Sequence, residues 1–188
     1  GACLGLDYPP EDLVQPMSKI LLIGRGPLPS VDAPQLSFSQ HRTAAFHSAL
    51  RDAGHSVRLV LLVPEAKPSP LTEWAGVVEI TEEGPGWVQA ARSASEGAEI
   101  VVSAGPYNPG RIGAAIAEDR PFWADIPGDP IAELSALSRA TPGGLSTAAT
   151  TAAYTGAIAV LGRADAFSVI SAAQRHATLG QLGMLSRT

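Results

Sequence analysis

The chain has 188 residues, of which 45% are hydrophobic and 16% are charged, with a formal net charge of −5. This length accommodates one ordinary domain with one hydrophobic core, and the acidic balance excludes the basic surface that nucleic-acid binding requires. The one cysteine, Cys3, cannot form an internal disulfide, which favours a reducing compartment.

The N-terminal region has no basic start followed by an apolar run, so we expect no signal peptide and a cytoplasmic location. Residues 1–16 contain three prolines and no periodic pattern, and we expect an extended tail or linker before a single domain over residues 17–188. The uncharged stretch over residues 140–162 consists mostly of Ala, Thr and Gly, so we expect no transmembrane segment.

Short apolar runs alternate with helical patterns along the domain. The predicted strands cover residues 19–24, 56–63, 76–80, 99–103, 120–126 and 166–170. The predicted helices cover residues 37–54, 86–96, 109–118, 130–140, 145–163 and 172–183. This alternation is typical of a doubly wound parallel sheet. We therefore predict an α/β, Rossmann-like fold with the strand KILLIG at its centre.

The carboxyl ends of the predicted strands are followed by glycines and polar residues. In an open parallel sheet, ligands bind in the crevice beyond these ends. The candidate substrate-binding residues follow the strands or begin the helices, and they are Gly24, Gly26, His41, Arg42, Gly105, Asn108, Asp129 and Ser171.

Gly24 and Gly26 invite a dinucleotide-binding interpretation, because a glycine loop after the first strand can place pyrophosphate at a helix N-terminus. However, Pro29 occupies the third glycine position, and a loop longer than ten residues precedes the helix. A loop that turns the chain and a loop shaped for another ligand remain alternatives. Phosphate-loop, nucleophile-elbow and paired-histidine motifs do not occur, so we assign no cofactor and no metal.

Asp125 is the candidate catalytic residue. It ends a predicted strand beside Trp123 and Ile126, whose apolar side chains would desolvate it, raise its pKa and suit a general base. Asp129 either contacts a ligand or caps the helix that begins at Pro130.

Two further candidates have structural alternatives. Ser171 either contacts a ligand or caps the last helix. His41, beside Arg42, either meets a phosphate or sugar or is a solvated residue at the start of its helix.

Three motifs together resemble those of glycosyltransferases with two facing Rossmann-like domains (GT-B type, family 4-like). LRDAGHSVRLV at residues 50–60 is similar to the family's L-x-x-x-G-H-x-V, which follows the first helix. RPFWAD at residues 120–125 resembles its P-x-x-x-x-H/D strand, and ADAFSVIS at residues 164–171 resembles its A-D-x-x-x-x-x-S strand. The resemblance covers residues 19–187.

The resemblance implies the N-terminal, acceptor-side domain of an enzyme that moves a sugar from a nucleotide-diphosphate sugar to a hydroxyl acceptor. Asp125 would deprotonate or orient the acceptor, and Gly24 and Gly26 would approach the donor phosphate. A C-terminal donor-binding domain, in the same or a separate chain, would complete the site, so these 188 residues alone are expected to lack turnover.

Two other functions remain open at this point. One is a non-catalytic Rossmann-like binding or interaction module, with the uncharged helix over residues 145–162 as its partner-facing surface. The other is a nucleotide-cofactor oxidoreductase. The fold alone does not choose among the three, because this architecture supports many functions.

Overall fold

The computed structural model describes residues 17–28, 37–64 and 76–187. The strands are β1 (Lys19–Arg25), β2 (Ser56–Val63), β3 (Val77–Thr81), β4 (Ile100–Ala104), β5 (Phe122–Asp125) and β6 (Ala166–Ser168). The helices are α1 (Phe38–Asp52), α2 (Trp87–Ala94), α3 (Asn108–Ile116), α4 (Pro130–Ala140), α5 (Thr147–Arg163) and α6 (Ala172–Met184). The tail predicted for residues 1–16 lies outside the described residues.

The described strands form a parallel sheet in the order β3-β2-β1-β4-β5-β6. The chain builds outward from β1 to β3, returns through α2 to β4 on the other side of β1, and then builds outward to β6. This order confirms the predicted α/β, Rossmann-like fold and the inner position of β1. The direction of building reverses between β1 and β4, and ligands of such sheets bind at this point.

The inner strands are apolar on both faces because both faces are covered. Leu21 and Ile23 of β1 pack in one cluster with residues of α2, α3 and α5. Ile20 and Leu22 point the other way and pack in a second cluster, whose helical residues all come from α1. Helix α1 is therefore the main described cover of that face of the sheet.

The uncharged segment over residues 140–162 supplies most of α5. Its residues Val160 and Leu161 are buried in the same cluster as Leu21 and Ile23, and α5 packs chiefly on α3. Ser146 caps the start of α5. Among the described helices, none combines the length and the apolar character that crossing a bilayer requires.

Gly113 allows α3 to pack closely on β5. A Cβ atom at position 113 would lie 2.6 Å from Cε2 of the fully buried Phe122. We expect Gly113→Ala to lower the free energy of unfolding by about 1–3 kcal/mol, because the core cannot accept the extra atom without shifting. The matched control is Gly180→Ala in α6, where nothing lies within 4 Å of the added atom.

The control variant should gain about 0.4–1 kcal/mol through reduced entropy of the unfolded chain. Urea denaturation measures both variants. Equal effects of the two substitutions would contradict the packing described here.

His47 lies buried on the inner side of α1. Burial, and secondarily the charge of Arg51, lower its pKa below the ordinary value of about 6.5. At pH values below about 6.5, the unfolded chain takes up a proton on His47 more readily than the folded chain does. The folded state therefore loses stability as the pH falls through about 6.5.

We therefore expect the melting temperature of His47→Gln to depend less on pH than that of the unsubstituted protein between about pH 7.5 and 5.5. His41→Gln, on the exposed side of the same helix, is the control and should keep the original dependence. Thermal melts across this range measure the difference, and identical profiles for all three proteins would refute it.

Candidate functional site

A cavity of about 590 Å³ opens at the carboxyl end of the sheet, beyond the ends of the neighbouring strands β1 and β4. Its walls are the ends of these two strands, the first residues of α1 and α3, the loop before α4, and one side of α5. We call this cavity the crevice. Its position and size match those of sites for small organic ligands, which span roughly 300–1,000 Å³.

Helix α3 begins at the crevice without a side-chain cap. Its N-cap residue, Tyr107, makes no side-chain capping hydrogen bond, and its first turn has no acidic residue. Four other helix starts are capped by Ser37, Asp129, Ser146 and Ser171. The positive end of α3 therefore faces the crevice and favours a negatively charged ligand atom there.

Three arginines from three different elements line the crevice, namely Arg25, Arg42 and Arg111. Nη2 of Arg25 donates to both carboxylate oxygens of Glu82, at 2.6 and 2.5 Å. Nη1 of Arg111 donates to Oδ1 of Asn108 at 3.0 Å. A guanidinium carries five N–H donors, and these bonds engage one nitrogen of each group. Glu82 holds Arg25 in place, and Asn108 holds Arg111 in place.

The carboxylates at the crevice accept hydrogen bonds from neighbouring side chains. Glu82, with 9% of its side chain exposed, also accepts a 2.8 Å bond from Nδ2 of Asn108. Glu133 accepts from the Tyr107 hydroxyl. Burial first, and then Glu133, raise the pKa of that hydroxyl, which keeps its proton at neutral pH. Within the three described ranges, no group of three or more His, Cys, Asp or Glu residues could hold a metal ion.

Asp125, the predicted general base, is fully buried at the end of β5 and is not part of the crevice wall. Arg42 donates from Nη2 to its Oδ1 at 2.6 Å and from Nε to its Oδ2. The Ser168 hydroxyl donates to Oδ1 at 2.6 Å. In the structure this carboxylate is closed to solvent, and its charge-assisted bonds fix Arg42 in place. The role of Asp125 as a base stays a prediction.

Some of the predicted binding residues line the crevice, and the others lie elsewhere in the structure. Arg42, Gly105 and Asn108 line the crevice. Asp129 and Ser171 cap α4 and α6, which is the structural alternative for each. His41 is exposed and lines a second cavity along α1.

Gly24 and Gly26 are not part of the crevice wall, and both serve packing. A side chain at position 24 would overlap Thr43 of α1, and one at position 26 would lie 2.9 Å from Cγ1 of Val63. The backbone N–H of Arg25 donates to Oγ1 of Thr43 at 3.0 Å, which shows how closely α1 approaches β1. The absence of a side chain at these glycines therefore allows α1 and the end of β2 to pack closely against them.

Several crevice residues were not predicted. Arg111 lies three residues after Asn108 on α3, and this spacing places both on one helix face. Glu82 follows the end of β3, where a polar residue after a strand is a usable signal. The wall formed by α5 has no sequence signal beyond a run of small residues.

The sequence matches no protein-family model and no curated protein. Among solved structures, the fold is similar to that of a short-chain dehydrogenase/reductase (wide type) from Veillonella parvula in complex with NADP. The two share 15% sequence identity over 81% of this chain and 67% of that chain, with a TM-score of 0.43.

The predicted glycosyltransferase activity is corrected. The carboxylate assigned as the base is buried in an ion pair with Arg42, and the solved structure reported above is that of a dehydrogenase/reductase. The resemblance of the three motifs to that family stays a prediction, as do the nucleotide-sugar donor, the hydroxyl acceptor and the C-terminal domain predicted as partners.

Because Arg42 and Asp125 form an ion pair, we expect two arginine substitutions to lower the free energy of unfolding by very different amounts. Arg42→Met removes the charge that neutralises a fully buried carboxylate, so we expect the free energy of unfolding to fall by about 3–5 kcal/mol. Arg92→Met removes an exposed arginine, 3.6 Å from Glu118, and should cost about 1 kcal/mol or less.

Adding Asp125→Asn to Arg42→Met should restore part of the loss, because the unpaired charge is then gone. Urea denaturation of the four proteins measures these differences. Similar losses in the two single arginine variants would show that the Arg42 pair is not the constraint described here.

Proposed function

We propose that the protein is a Rossmann-like binding module that holds a small organic ligand by an anionic group, such as a phosphate or a carboxylate, in the crevice. The observation that carries this proposal is the convergence of three arginines and the uncapped start of α3 on one cavity at the β1–β4 switch point. The arginines and the start of α3 each favour a negatively charged ligand group. The switch point is also where Rossmann-like folds bind their ligands.

The arginines are held before any ligand arrives. Glu82 fixes Arg25, Asn108 fixes Arg111, and Asp125 fixes Arg42. Arginines held in this way lose little side-chain entropy when they bind an anion, which strengthens binding. The same carboxylates reduce the net positive charge of the crevice, so recognition relies on the geometry of the donors rather than on bulk charge.

The chemistry of the crevice supports binding rather than turnover. Glu82 and Glu133 already accept hydrogen bonds from neighbouring side chains. The Tyr107 hydroxyl donates to Glu133. These bonds hold the side chains in place, and none of the groups is arranged as a base beside a nucleophile.

Helix α5 provides room for the ligand. The side chains it presents to the crevice are small, at Ala149, Ala152, Ala153, Gly156 and Ala157. A Cβ atom at position 156 would lie 2.7 Å from Cδ of Arg111. Arg111 therefore runs across Gly156, and the small side chains of α5 form one wall of the crevice. The partner-facing surface predicted from the sequence for this helix stays a prediction.

A titration with inorganic phosphate tests the proposal. We expect sodium phosphate to raise the melting temperature saturably, whereas sodium chloride at equal ionic strength should not. Arg111→Gln should weaken phosphate binding about tenfold or more, since a hydrogen bond to a charged group contributes about 1.5–3 kcal/mol.

Arg92→Gln is the matched control, because Arg92 lies on α2 and is not part of the crevice wall. It should bind phosphate like the unsubstituted protein. The proposal is wrong if phosphate acts no differently from chloride, or if Arg111→Gln and Arg92→Gln bind it equally.

A further inference from the structure

A second cavity, of about 470 Å³, runs along the outer side of α1. Its apolar walls include Phe46 and Leu50 of α1 and Trp123 of β5, and its α1 side carries the small exposed residues Ala45 and Ala49. We call this cavity the α1 groove. The crevice has six charged side chains in its wall, whereas the polar side chains of the groove are those of His41 and Arg42.

The groove exists because of the alternation of side chains along β5. Phe122 and Ala124 face the cluster under α3 and α5, so Trp123 and Asp125 face the α1 side of the sheet. Helix α1 packs on β1, β2 and β4 and leaves Trp123 partly exposed beside it. An apolar strip of sheet and helix thus meets solvent.

The crevice and the groove share a wall. Phe38 and Arg42 line both cavities, and the Arg42 guanidinium carbon lies 5.9 Å from the centre of the Phe38 ring and 5.4 Å from that of the Phe46 ring. The two cavities are therefore neighbours, with Phe38 and Arg42 between them.

The walls of the groove are held by hydrogen bonds and ring contacts. Nε1 of Trp123 donates to Oγ of Ser168 at 3.1 Å, and Ser168 donates in turn to Asp125. The Trp123 and Phe46 rings meet edge to face, with centres 5.2 Å apart. With its N–H occupied, Trp123 offers the groove the apolar part of its ring.

We infer that the ligand is amphipathic, with its anionic head in the crevice and an alkyl chain in the α1 groove. The inference rests on the proposed function for the position of the head. The groove is assigned to the same molecule because Phe38 and Arg42 border both cavities, so the groove lies directly beside the proposed anion site. Arg42 is also the charged side chain on the border of the groove that faces the crevice.

Monoalkyl phosphates of different chain length test the inference by isothermal titration calorimetry. Each buried methylene strengthens binding about fourfold (~0.8 kcal/mol). We expect octyl phosphate, below its micelle concentration, to bind at least tenfold more tightly than ethyl phosphate. A glutamate in the groove should abolish this gain, so Ala49→Glu should bind both phosphates with the affinity of the unsubstituted protein for ethyl phosphate.

Ala177→Glu is the control, because it adds the same charge at an exposed position of α6 that lines neither cavity. It should retain the full gain from chain length. Circular dichroism confirms that both variants are folded.

The outcomes separate the two proposals. If ethyl phosphate does not bind at all, the proposed function fails. If ethyl phosphate binds but octyl phosphate binds no more tightly, the crevice stands and the inference about the groove is overturned. A chain-length gain that survives Ala49→Glu also overturns it, since the chain would then lie elsewhere.

Discussion

The ion pair between Arg42 and Asp125 is the interaction on which the described site depends. It joins α1 to the carboxyl end of β5, and Ser168 adds β6 to the same network. Burying two charges is unfavourable unless their hydrogen bonds are satisfied, and here both carboxylate oxygens are occupied. Because α1 is the main described cover of its face of the sheet, this pair fixes the boundary between the crevice and the α1 groove.

The three arginines of the crevice are offset by the carboxylates of Glu82, Glu83 and Glu133 in its wall and by the buried Asp125. Such a balance avoids the strong positive field that attracts any polyanion. It also places fixed acceptors beside fixed donors. Specificity then comes from the arrangement of the side chains on rigid strand and helix ends.

Local patterns sufficed to predict the fold but only part of the site. Apolar runs and helical periods gave the strands and helices, because burial on both faces leaves a clear mark on the sequence. Desolvation of Asp125 was foreseen from Trp123 and Ile126, whereas its partner Arg42 lies 83 residues away in the chain. Contacts between residues so far apart in the chain depend on tertiary packing, which local patterns do not predict. The same reason explains why the small residues of α5 were not predicted to form a crevice wall.

The central claim is that the switch point between β1 and β4 is where this protein binds its ligand. A titration with phosphate followed by backbone amide chemical shifts in NMR tests it most directly. The account predicts saturable shifts concentrated in residues 105–111, at the end of β4 and the start of α3. Saturable shifts confined to other parts of the chain would contradict it.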